Sequence, residues 1–82
     1  MDKKRIREKV NAATYGAAAL IGFENCVTKV EFYKGNDGYY IYKAGTEMML
    51  EDMICHASSI DGIVQFMRGA LWFKIHGREF EK

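Results

Sequence analysis

Between Val27 and Ala44 the chain reads VTKVEFYKGNDGYYIYKA, two runs rich in β-branched and aromatic residues separated by GNDG. Asn, Asp and Gly tolerate the positive φ that a tight reversal needs, so the pattern predicts a β-hairpin. Placing Lys34 opposite Tyr39 fixes the register: Tyr33 faces Tyr40, Phe32 faces Ile41 and Glu31 faces Tyr42. Side chains alternate across a strand. One face therefore carries Val30, Phe32, Tyr39 and Ile41, and the other carries Lys29, Glu31, Tyr33, Tyr40 and Tyr42. The first is a core face. The second sets tyrosines among charges, and a chain with such a surface must either cover it or use it.

The segment before the hairpin, MDKKRIREKVNAATYGAAALIGF, repeats Ile6, Val10, Ala13, Ala17 and Leu20 at helical spacing. It predicts one amphipathic helix, with Gly22 as its C-terminal stop. Ala12, Gly16 and Ala19 form a second stripe, small enough for another backbone to approach closely. The apolar run is too short to cross a bilayer. As an export signal it is interrupted by Thr14 and Tyr15. Lys3, Lys4, Arg5, Arg7 and Lys9 crowd the first turns against Asp2 and Glu8, where the helix dipole disfavours positive charge. Such an end either meets phosphate or an acidic partner, or is simply solvated.

After the hairpin, Gly45 and Thr46 read as a turn and N-cap for a helix over EMMLEDMICHA, with Met49, Leu50, Met53, Ile54 and Ala57 on its core face. Ser59 caps a further helix, with Ile60, Ile63, Val64 and Met67 on one stripe and Gly69 at its end. The remainder, ALWFKIHGREFEK, pairs as a second hairpin turning at His76-Gly77, with Lys74 facing Glu79, Phe73 facing Phe80 and Trp72 facing Glu81. The rival reading continues the helix through Ile75, since Met67, Leu71, Lys74 and Ile75 keep helical spacing. Gly69 inside a helix, at about 1 kcal/mol relative to Ala, favours the hairpin.

The expected architecture is α+β in the order α-β-β-α-α-β-β: residues 1–82 as one domain, with a four-stranded antiparallel sheet of two hairpins and all helices on one face. Val30, Phe32, Ile41, Leu71, Phe73, Ile75 and Phe80 would then be buried, and Lys43 and Arg78 would snorkel at strand ends. Tyr33, Tyr40, Tyr42 and Trp72 would stand on the uncovered face.

A net charge of +1 gives no global field of the kind that neutralises many phosphates. No nucleotide-binding loop or dinucleotide fingerprint is present. Cys26, Cys55, His56 and His76 lack the paired spacing of a zinc site, so no metal or other cofactor is expected. Cys55 and His56 point apart and cannot act as a nucleophile pair. Glu51 and Asp52 have no apolar pocket to raise either pKa. These absences argue against an enzyme.

The expectation is a cytoplasmic protein-binding module whose contact residues are Tyr33, Tyr40, Tyr42, Trp72, Lys29 and Glu31, since Tyr and Trp are typical interface anchors. The alternatives are a single-stranded nucleic-acid binder, stacking bases on the same aromatics with Lys3, Lys4, Arg5, Arg7 and Lys9 on phosphates, and a homodimer that covers the face itself. Glu31, Glu79 and Glu81 weigh against nucleic acid. Being short, α+β, motif-free and aromatic-faced, the chain resembles in style the small accessory proteins of phages and mobile elements. These include inhibitors of host defence nucleases such as anti-CRISPR proteins, and the resemblance implies a stoichiometric inhibitor.

Overall fold

The computed structural model describes residues 3–26 and 28–77. Helices α1 (Lys3–Ala12) and α2 (Gly16–Cys26) lead into strands β1 (Val30–Gly35) and β2 (Gly38–Lys43). A 3-10 turn at Leu50–Asp52 precedes strand β3 (Met53–Ala57), and helix α3 (Ile60–His76) follows. The strands form an antiparallel sheet in the order β1-β2-β3. The fold is α+β, but among the described residues the sheet has three strands where four were expected, and the element order is α-α-β-β-β-α.

The first hairpin has the register its turn chemistry predicts, with Lys34 opposite Tyr39, Tyr33 opposite Tyr40, Phe32 opposite Ile41 and Glu31 opposite Tyr42. The start of the sequence-predicted run, Val27, lies outside the described residues. Val30, Phe32 and Ile41 are buried against the helices, among Ile6, Val10, Ala19, Leu20, Phe23, Ile63, Val64 and Met67. Apolar burial at about 25 cal/mol per Å² is what holds the layers together.

The N-terminal segment is two helices rather than one. The chain turns at Ala13–Tyr15, where Tyr15 takes φ 64, a left-handed conformation uncommon outside glycine. Its carbonyl accepts from the Ala19 amide at 2.9 Å and so opens α2. Turning back lets both helices present apolar residues to one core. Gly16 permits this, because a Cβ there would overlap the Val10 carbonyl. The expected stripe therefore shifts: Ala17 is exposed, while Ala19, Leu20 and Phe23 are buried. Nor is Gly22 a stop. It lies within α2 where Leu71 of α3 crosses, and a Cβ there would come within 2.7 Å of Leu71 Cδ2.

The segment expected as a second helix supplies β3 instead. Thr46 closes a turn, donating to the Lys43 carbonyl at 2.9 Å and accepting from the Met48 amide at 3.3 Å. Met49 and Leu50, assigned to a core face, are exposed. The physical reason is the open edge of β2, whose backbone groups need partners. Pairing Tyr39 with Ala57, Tyr40 with His56 and Ile41 with Cys55 supplies them, with a bulge between Ile41 and Tyr42.

The second hairpin is also absent from residues 70–77: α3 runs on to His76, as the rival periodicity required. Ser59 caps it as expected, its hydroxyl accepting from the Gly62 amide at 3.1 Å. Gly69 is tolerated mid-helix because Ile63, Val64 and Met67 anchor the helix in the core. Gly77 has φ −57 and makes no hairpin turn. Leu71 is only partly buried, and Phe73 and Ile75 are exposed rather than core. Lys43 is exposed. Arg78, Glu79, Phe80 and Glu81, invoked in the predicted pairing, lie outside the described residues.

Candidate functional site

All three α-helices pack on one side of the sheet, which leaves the other side open. Strand parity places Tyr33, Tyr40 and Tyr42 there, and the pairing of Tyr40 with His56 adds the imidazole. The rings form a continuous row. Tyr33 and Tyr40 lie 6.0 Å apart between centroids, tilted by 51°. Tyr40 and Tyr42 lie 6.0 Å apart at 27°, and Tyr40 stacks on His56 at 4.4 Å and 19°. Offset and tilted aromatic pairs of this kind hold each other's rotamers. Leu50 and Met53 extend the surface, and the whole lines a shallow depression of about 640 Å³.

The turn of the hairpin fixes one end of the row. Tyr40 donates its hydroxyl to Asp37 Oδ1 at 2.6 Å. His56 Nε2 lies 3.1 Å from the Asp37 carbonyl oxygen and 3.8 Å from its Oδ2. The hydrogen bond lowers the Asp37 carboxyl below its usual range and pushes the Tyr40 phenol up to about 12. Tyr40 therefore stays neutral and Asp37 charged across the physiological range.

The other expected contact residues are dispersed. Lys29 is exposed just before β1. Glu31 is occupied, binding Lys3 Nζ at 2.6 Å and accepting from the Gly45 amide at 3.4 Å, and both interactions lower its pKa. Trp72 does not join the tyrosines. Because its segment is helical, it stands near the end of α3 beside Tyr15, Arg68, Leu71 and Ile75. His56, by contrast, is a member of the row that helical spacing in its segment conceals. The alternation Cys55-in, His56-out, Ala57-in was the available signal.

Within the basic α1, Lys3 is paired with Glu31. Arg7 donates to Glu24 Oε1 and to the Val30 carbonyl, each at 3.1 Å, and lies 5.4 Å over the Phe32 ring. Glu24 Oε2 accepts from the Val30 amide at 3.4 Å. Arg7 thus ties α1, α2 and the start of β1 together rather than waiting for phosphate. Lys4, Arg5 and Lys9 are exposed.

Comparison with known proteins returned no match to a family model, a curated protein or a solved structure. The geometry alone bears on chemistry. Among the described residues no three His, Cys, Asp or Glu side chains come together as a metal site. Cys55 faces the core side and burial raises its thiol pKa, while His56 faces outward on the same strand, so they do not form a nucleophile and base. No helix among the described residues is long and apolar enough to cross a membrane.

A second apolar surface lies on the helical side. Tyr15, Ile21 and Ile75 are 65%, 62% and 65% exposed, with Trp72 and Phe73 nearby on α3. Arg68 sits 4.8 Å over the Tyr15 ring.

Proposed function

We propose that this chain acts by stoichiometric binding of a protein, without catalysis, through the open sheet face of Tyr33, Tyr40, Tyr42 and His56. The observation that carries the reading is the row of stacked and tilted rings on the side of the sheet opposite the described α-helices. Rings already held in place lose little entropy on docking, and tyrosines in such a setting are typical hot spots. Occlusion of a partner's surface is the action of an inhibitor, in keeping with the resemblance to phage and mobile-element accessory proteins. Asp37 at one end of the row, and the neutralisation of Lys3 and Arg7 by carboxylates, disfavour nucleic acid on this face.

The test is capture from the source cell by immobilised wild type and by a Tyr33→Ala, Tyr42→Ala double variant, each first checked for native circular dichroism. A protein recovered with wild type and lost with the variant supports the reading. Recovery that is equal for both, or binding of oligonucleotides that falls steeply with salt, overturns it.

A second reading, self-association, is favoured by the exposed Ile21 and Ile75 on α2 and α3. It uses a different surface and is compatible with the first.

A further inference from the structure

We propose that the tyrosine face is a seat for a cationic side chain, so that the bound protein presents an arginine or lysine from a basic segment to Tyr33, Tyr40, Tyr42 and Asp37; this rests on the reading that the face binds protein. The face of a phenol ring attracts a guanidinium or ammonium group placed within about 6 Å. Here three such rings succeed one another at 6.0 Å intervals. Asp37 stands at the end of the row with its side chain 66% exposed. Tyr40 donates to Oδ1, and Oδ2, 3.8 Å from His56 Nε2, is beyond hydrogen-bond distance of that ring and can accept from an incoming donor. A guanidinium that stacks on a ring while donating to this carboxylate satisfies both features at once.

The surrounding charge is complementary. Among the described residues no lysine or arginine lines the depression, and Asp37 is the carboxylate that does. From Ala44 to Met67 the chain carries Glu47, Glu51, Asp52 and Asp61 and neither Lys nor Arg. Lys34, close in sequence, lies 5.9 Å over Tyr39 on the opposite face of the hairpin. A cation approaching the row therefore meets the Asp37 carboxylate, with His56 Nε2 at 3.8 Å as its nearest basic neighbour, whereas a phosphate meets repulsion from it.

The experiment is an NMR titration of the full chain with a short arginine-rich peptide, its glutamate counterpart, an uncharged leucine-rich peptide and oligothymidylate. The arginine peptide is expected to shift the resonances of Tyr33, Asp37, Tyr40 and Tyr42, and Asp37→Asn, which keeps an acceptor for Tyr40, should weaken it about fivefold to tenfold. Equal shifts with the uncharged peptide would overturn the cationic seat while leaving a protein-binding face. An arginine peptide that leaves the tyrosines unmoved overturns the seat alone, and the capture experiment still decides the parent reading. Shifts at the tyrosines produced by oligothymidylate and by no peptide overturn both.

Discussion

Gly16 and Gly69 offer the same substitution with opposite expected signs. A Cβ on Gly16 would overlap the Val10 carbonyl oxygen and stand 2.7 Å from the carbonyl carbon, against about 3.5–4.0 Å for optimal carbon contacts. Gly16→Ala therefore forces α1 away from α2 by more than about 1 Å, a gap that forfeits about half of the local dispersion energy. The anchors loosened are Ile6 and Val10, 3% and 0% exposed. Full burial of each is worth about 1.5–3 kcal/mol. Losing up to half of both, with residual strain of about 1 kcal/mol or more, gives a destabilisation of about 3 kcal/mol. At Gly69 an added Cβ meets nothing within 4 Å, so Gly69→Ala should stabilise α3 by about 0.5–1 kcal/mol. Urea unfolding followed by far-UV circular dichroism reads both. The midpoint should fall by about 1–3 M for Gly16→Ala and rise slightly for Gly69→Ala. A Gly16→Ala protein within about 0.5 kcal/mol of wild type would refute the close packing of α1 on α2.

Alkaline titration should show the Tyr40 phenol ionising near 12 and moving toward the ordinary value of 10.0 in Asp37→Asn. The folded state holds this proton more tightly, so the associated stability is intact below about pH 10 and is lost as pH rises toward about 12. A Tyr40 phenol that ionises near 10.0 in the wild type, or is unmoved by Asp37→Asn, would contradict its bond to Asp37. Ser59→Ala removes the acceptor for the Gly62 amide and should cost about 1 kcal/mol in thermal or urea unfolding; no change would mean that the cap carries no weight. If α2 and α3 mediate self-association, sedimentation equilibrium should show a concentration-dependent dimer that Ile21→Lys with Ile75→Glu abolishes, and a wild-type monomer at all concentrations would refute it.

The hairpin was legible because its information is local: turn chemistry sets the reversal, and two-residue alternation sets the faces. Three of the four rings of the candidate site follow from that alone. What the sequence left ambiguous was decided by tertiary demand. Met49, Leu50, Met53 and Ile54 fit a helical stripe, but the unpaired edge of β2 drew Met53–Ala57 into the sheet and brought His56 to Tyr40. The charge and aromatic pairs around His76-Gly77 mimicked a hairpin, while Gly22 against Leu71 gave α3 a docking surface that no local pattern records. The turn at Tyr15 carries no proline, and its clue was the small-residue stripe at Gly16, whose close neighbour is the chain's own preceding helix.

Whether the open sheet face binds a protein is decided by calorimetric titration of the captured partner. One-to-one binding is expected, weakened by about 2 kcal/mol or more, roughly thirtyfold, in Tyr33→Ala with Tyr42→Ala and unchanged in Ile21→Lys. Unaltered affinity in the tyrosine double variant, with its fold intact, would contradict it.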